Sequence, residues 1–118
     1  MVKIRSDKSK NRLYVLAEGF ISDEELKNGA EEIIKNVKEL KSGFDVINDI
    51  SEMKPASSIG AQEIQRAQNF AAQNGMGRTV RITKNILTTM QVRRTSEGKY
   101  DVLSANSIEE AEKLLDNK

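Results

Sequence analysis

Two adjacent serines, Ser57 and Ser58, lie where a short polar turn gives way to a helix, within the run DVINDISEMKPASSIGAQEIQRAQNF at residues 45–70. A serine at this place can cap the helix by accepting a backbone hydrogen bond, which stabilises it by about 1 kcal/mol. It can also accept a phosphoryl group, which the unpaired N–H groups and the positive end of the helix dipole would hold. Phosphorylation adds about −1.5 to −2 charges and would switch off the binding of a partner at that surface. The two roles are compatible.

Acidic residues precede the turn. Asp49 lies at the carboxyl end of a predicted buried strand, where α/β sheets place ligand-binding and catalytic groups, and Glu52 follows it. The sequence contains no His and no Cys, so the commonest general base, a thiol nucleophile and the usual metal ligands are all excluded. We therefore expect Asp49 to accept hydrogen bonds from the loop rather than to catalyse, and Glu52 to be solvated. We expect no cofactor and no metal.

Basic residues are concentrated in the second half of the chain. Residues 60–100 contain seven Lys or Arg and two Glu, which gives this segment a net charge of +5. One interpretation is a solvated face paired with the acidic first helix. The other is a docking surface for an acidic protein patch or a phosphate-bearing ligand. The candidates for that surface are Arg78, Arg81, Arg93 and Arg94. Nucleic acid is not expected as a partner, because no aromatic side chains interleave with the basic ones.

Length and composition predict the kind of domain that carries these residues. A chain of 118 residues with a net charge of +1 predicts a single domain, 1–118, with no global attraction to nucleic acid or membrane. Hydrophobic residues make up 37% of the chain and aromatic residues 4%, which favours an aliphatic core in a small α/β layer structure. The N-terminal sequence has no apolar run of the length that a signal peptide or membrane span requires, so we expect a cytoplasmic protein.

Periodicity and capping residues predict the order β-β-α-β-α-β-α-β-α. Two antiparallel strands flank SDKSKN at one edge of the sheet. A capping box from Ser22 to Glu25 begins the first helix, which we expect to end at Gly43. The run FDVIND is then a buried central strand, residues 58–74 form the second helix, and RTVRIT and KYDVLSA are the last two strands. A second capping box at Ser107 begins the closing helix.

The segment at residues 85–96 fits two structures. Ile86, Leu87 and Met90 suit one face of a helix, whereas the threonines and the alternation after Met90 suit a strand. We predict a helix. The fold class is therefore α/β, with a mixed sheet of four or five strands covered by about four helices.

The central segment resembles that of STAS domains, the anti-sigma-factor-antagonist family. In that family a strand ending in an acid leads through a short loop to an Asp-Ser-Ser-Gly turn and a helix, as in NDISEMKPASSIGAQEI here. RTVRIT resembles the following strand, and YDVLSANSIEEAEKLL resembles the closing strand and helix. The likeness spans roughly residues 11–116. It differs at the turn, where Ala56 replaces the acid and Gly60 comes one residue late.

The resemblance implies a switch. In signalling members, a serine of this turn is phosphorylated by a partner kinase that doubles as an anti-sigma factor, and Ser58 is the closer match to it, with Ser57 second. The resemblance and the position of the turn together predict a protein-binding surface around residues 51–61. Its members are Asp49, Ser51, Ser57, Ser58 and Gly60.

We therefore expect a non-enzymatic, cytoplasmic protein-interaction module with a kinase or anti-sigma-like partner. Two other functions fit the sequence. One is a small-ligand carrier or enzyme with its site at Asp49 and the helix start, and the other is a structural subunit of a larger assembly. A buried pocket lined by Asp49 and Ser58 favours the carrier, whereas an exposed helix start favours protein docking. The sequence leaves the oligomeric state open.

Overall fold

The computed structural model describes residues 1–117. The elements follow the predicted order. They are β1 (Val2–Asp7), β2 (Arg12–Gly19), α1 (Asp23–Lys38), β3 (Asp45–Met53), α2 (Ser58–Gln73), β4 (Thr79–Ile82), α3 (Ile86–Ser96), β5 (Val102–Ala105) and α4 (Ile108–Asp116). The α/β fold class and the mixed sheet with four helices are confirmed.

The five strands form one sheet in the order β1-β2-β3-β4-β5. β1 pairs with β2 antiparallel at one edge, and the other three pairs are parallel, so β3 is the central strand as predicted. β3 is longer than FDVIND, because a register shift between Leu16 and Glu18 of β2 lets pairing continue to Met53. The loop before α2 is therefore shorter than predicted, and covers residues 54–57.

Helices cover the two faces of the sheet unequally. On one face, Leu13, Val46 and Ile50 pack in clusters with residues of α1, α2 and α3. On the other face, Ile47 and Val80 pack with Ala111 and Leu115 of α4 alone. Because side chains alternate along a strand, this assigns Asn48 to the three-helix face and Asp49 to the α4 face.

α1 begins as predicted and ends earlier. Ser22 and Glu25 form the capping box, but the helix stops at Lys38, with Glu39 as its C-cap. Gly43 has a φ of +90° in the turn before β3, so it serves the turn rather than the helix end. Gly29 of α1 packs closely on the sheet, since a Cβ there would be 3.2 Å from Val2 Cγ1 of β1.

The predicted helix at residues 85–96 is confirmed, but its apolar residues face outward. Ile86, Leu87 and Met90 are all exposed, and the buried side of α3 carries Thr88, Val92 and Ser96. Asn85 caps the helix by accepting a hydrogen bond from Thr88 N. In α4, Leu114 is likewise exposed, whereas Ala111 and Leu115 are buried.

Candidate functional site

Ser57 is the N-cap of α2. Its Oγ accepts a hydrogen bond from Gly60 N at 3.0 Å and donates one to Asp23 Oδ1 of α1 at 2.5 Å. One hydroxyl therefore satisfies an unpaired helix N–H group and joins the first turns of two helices. Gly60 has a packing role at the same place, because a Cβ there would lie 2.5 Å from Leu26 Cδ1 of α1.

α3 holds the loop before α2 in place. The Gln91 side chain donates to Ala56 O and accepts from Ala56 N, each at 2.8 Å. Thr88 Oγ1, which is buried, donates to Met53 O at 2.7 Å. These bonds fix the loop and the starts of α2 and α3 relative to each other. Neither Gln91 nor Thr88 was predicted from the sequence, because no local pattern marks them.

Ser58 is the first residue of α2 and is exposed. Within residues 1–117, its hydroxyl makes no hydrogen bond, in contrast to that of Ser57. Ile59, beside it, leaves 61% of its surface exposed. The adjacent serines thus have different environments, since Ser57 supports the fold and the Ser58 hydroxyl is free at the surface.

We expect Ser57→Ala to lower the free energy of unfolding by about 1–2 kcal/mol, because Gly60 N loses its cap and Asp23 loses its donor. Ser58→Ala is the matched control, and should change stability by less than about 0.5 kcal/mol. Urea unfolding of both variants measures the difference. Equal stabilities would contradict the assignment of Ser57 as the cap.

Asp49 lies away from the start of α2. It is on the α4 face of the sheet, and its Oδ1 accepts hydrogen bonds from Ser51 N at 3.0 Å and Ser51 Oγ at 2.7 Å. The residues predicted to bind a partner are therefore divided into two groups. Asp49 and Ser51 lie in β3, whereas Ser57, Ser58 and Gly60 lie at the start of α2. Asp49 and Ser58 lie on opposite sides of the sheet, so the described residues do not bring them together in the shared pocket that a carrier would need.

Glu52 is exposed and pairs with Lys84 at 3.2 Å. A pair of exposed charges in this geometry contributes little to stability. Its position agrees with the expected solvated role.

The four candidate arginines do not form one surface. Arg78 pairs with Asp45 at 3.0 Å and donates to Leu115 O at 2.9 Å, so it anchors the end of α4. Arg81 is buried, and Arg93 and Arg94 are exposed on α3. Arg78 precedes β4 and contacts α4, whereas Arg81 lies within β4 and contacts Ser96 and Tyr100, so these two candidates for the docking surface have different neighbours.

Four large apolar side chains are exposed near the starts of α2 and α3, and we call them the exposed apolar cluster. They are Ile59 of α2 and Ile86, Leu87 and Met90 of α3, which are 61%, 74%, 67% and 50% exposed. Gln91 and Thr88 hold these two helix starts against one loop. The two helix starts thus carry exposed apolar side chains and, at Ser58, a free hydroxyl.

Two kinds of feature are absent from the described residues. Residues 1–117 contain no group of three or more Asp or Glu side chains placed to hold a metal ion. Across the same residues, none of the helices combines the length and the apolar character needed to span a membrane.

Comparisons with known proteins support the fold. The chain matches no protein-family model and no curated protein. Among solved structures, it is similar to an uncharacterized protein from the DUF3478 family with a SpoIIAA-like fold, from Shewanella loihica PV-4. The TM-score is 0.73 at 14% identity, and the alignment covers 98% of this chain and 92% of that chain. SpoIIAA has the fold of anti-sigma-factor antagonists, so the predicted STAS-like fold is confirmed.

Proposed function

We propose that this protein is a non-enzymatic regulatory module that binds a partner protein through the first turns of α2 and α3, and that phosphorylation of Ser58 switches this binding off. The observation that carries the proposal is the free, exposed hydroxyl of Ser58 at the start of α2, next in sequence to Ile59 of the exposed apolar cluster. Ser57 already supplies the cap, so Ser58 can be modified without loss of a structural hydrogen bond.

The exposed apolar cluster supports a protein as the occupant of this surface. Large apolar side chains grouped beside polar ones are typical of interaction sites. Asp23 and Glu24 lie in the first turn of α1, which Ser57 joins to α2. Their negative charge disfavours an anionic membrane and suits a protein surface with an apolar centre and basic edges.

The position of Ser58 supports phosphorylation as the switch. A phosphoryl group at the first residue of α2 would lie near the unpaired N–H groups and the positive end of the helix dipole. It would also place about two negative charges beside Ile59, at the surface proposed to make the apolar contact. The STAS-like fold suggests that a kinase supplies the phosphoryl group, and that this kinase is itself the partner.

The chemistry of the chain supports a module that is acted on rather than one that catalyses. It has no His or Cys, and Asp49 is engaged by Ser51. Kinase, partner and phosphosite would act in the cytoplasm, where ATP is present.

A capture experiment with matched variants tests the docking surface. Tagged wild-type protein, the double variant Leu87→Ser/Met90→Ser and the control Leu103→Ser are used to capture partners from native lysate, followed by direct titration of the purified candidate. Leu103 is 42% exposed on β5, outside the cluster. We expect the double variant to lose the partner and the control to retain it. A partner that binds all three proteins with equal affinity would refute the proposed surface.

A further inference from the structure

Arg81 carries a buried positive charge that the protein does not neutralise. Its side chain in β4 is 4% exposed. Its terminal nitrogen donates long hydrogen bonds to Ser96 Oγ at 3.4 Å and Tyr100 Oη at 3.5 Å, and Nε has no partner. Among residues 1–117, no carboxylate lies within 4.0 Å of it. By contrast, Arg12, which begins β2, and Arg78, which precedes β4, both pair with carboxylates.

A guanidinium in this setting needs a counter-charge. Burial lowers the pKa of Arg81, and Arg93 nearby lowers it further, while Tyr100 opposes this. Arginine nevertheless keeps its proton at neutral pH, so the charge stays and its desolvation is uncompensated. Asn48 Oδ1 and Gln68 Oε1 are also buried without partners, and neither neutral oxygen accepts a hydrogen bond from Arg81.

A polar cavity of about 300 Å³ lies between α3 and β5, and Arg81 lines it. This volume is at the lower end of the range for small-molecule sites. The cavity is also lined by a second cation, Arg93, and by the hydroxyl groups of Thr83, Thr89, Tyr100 and Ser104. Glu97 and Asp101 line it as well, and both are exposed, so water screens their charges more than that of Arg81.

We propose that this cavity is a binding site for a phosphate-type oxyanion, held by the Arg81 guanidinium with Arg93 and the surrounding hydroxyl groups. A guanidinium presents donors in a planar fork that matches two oxygens of a phosphate. The lining hydroxyl groups can donate to further oxygens, of which a phosphate offers more than a carboxylate. The ligand is free phosphate or the phosphate group of a small monoester. The proposal is independent of the docking surface at Ser58.

The test is a titration of the full chain with sodium phosphate, followed by amide NMR, against sodium chloride at matched ionic strength. Phosphoserine serves as the monoester probe and acetate as the carboxylate probe. We expect saturable shifts at the amides of Arg81, Tyr100 and Ser104 with phosphate. Arg81→Met should weaken this binding about tenfold to a hundredfold, the loss expected for a charged hydrogen-bonding partner.

Three controls make the result decisive. Arg94→Met, on the same helix as Arg93 and outside the cavity lining, should bind phosphate as the wild type does. Arg81→Met removes an unpaired charge, so its thermal midpoint in chloride should equal or exceed that of the wild type. If that variant does not fold, Tyr100→Phe takes its place and should weaken binding severalfold. Tighter binding of phosphoserine than of phosphate would identify the monoester as the ligand.

Two results would overturn the proposal. One is a set of amide shifts with phosphate that is the same in the wild type and in Arg81→Met, or the same as with chloride. Either outcome would show a general salt effect. The other is acetate binding as tight as phosphate binding, which would exclude the phosphate class.

Discussion

Ser58→Asp should weaken partner binding strongly while the fold keeps its stability. An acid at the first residue of α2 gains about 0.3–1 kcal/mol from the helix dipole. The carboxylate of Asp23, which Ser57 holds at the same helix start, opposes this gain. At the interface, the new charge would be buried against a surface that receives a neutral hydroxyl, at a cost of about 2–5 kcal/mol. The affinity should therefore fall roughly 30-fold or more.

Ser58→Asn is the matched control for this result, because it has the shape of Asp without the charge. Ser58→Ala removes the hydroxyl itself. We expect both to bind within a few-fold of the wild type, and all four proteins to unfold at similar urea concentrations. Titration calorimetry against the captured partner measures the affinities. If Ser58→Asp binds as tightly as Ser58→Asn, charge at this position does not control binding, and the proposed phosphorylation switch is refuted.

The fold could be predicted because its signals are local. Ser22 and Glu25 mark the start of α1, Ser107 marks the start of α4, and the short apolar runs have the length of buried parallel strands. The strand and helix bounds that were predicted wrongly depend on residues far away in the sequence. β3 continues to Met53 only because β2 shifts register beside it, and this pairing leaves no trace in the sequence of β3.

The face of α3 could not be predicted, because its buried side is polar. Thr88 and Ser96 face inward, and their hydroxyl groups donate to Met53 O and Val92 O. Their burial therefore leaves no unpaired hydroxyl group. Periodicity rules assign apolar residues to the core, so Ile86, Leu87 and Met90 seemed to mark the inner face. Their exposure is the feature that most favours a docking surface.

The division of roles between Ser57 and Ser58 was also beyond the sequence. Either serine could cap a helix that begins within one residue of the pair. The choice depends on Asp23 of α1, which accepts from Ser57, and on Gln91 of α3, which fixes Ala56. Both residues come from other elements, 34 and 35 positions away.

Arg12→Met should lower the free energy of unfolding by about 3 kcal/mol, the lower end of the range for a broken buried ion pair. Arg12 is 4% exposed at the start of β2, and donates to Glu112 Oε1 at 2.6 Å and Asp116 Oδ1 at 3.0 Å. These carboxylates belong to α4, the one helix that covers its face of the sheet. Both are partly exposed, so water compensates some of the loss after substitution.

Arg66→Met is the matched control, since Arg66 pairs with Glu63 at the surface, and should cost less than about 1 kcal/mol.

The pH dependence of stability distinguishes the contribution of the Arg12 ion pair from that of Arg12 packing. Burial opposes ionisation of Glu112, but hydrogen bonds from Tyr14 and Arg12 outweigh this effect and hold the pKa of Glu112 below the ordinary 4.5. The ion pair therefore stabilises the fold above pH 4.5, and this contribution is lost as the pH falls through the lowered pKa. The difference in stability between wild type and Arg12→Met should narrow over that interval. A difference that stays constant with pH would mean that Arg12 acts through packing alone, and that its charge does not anchor α4.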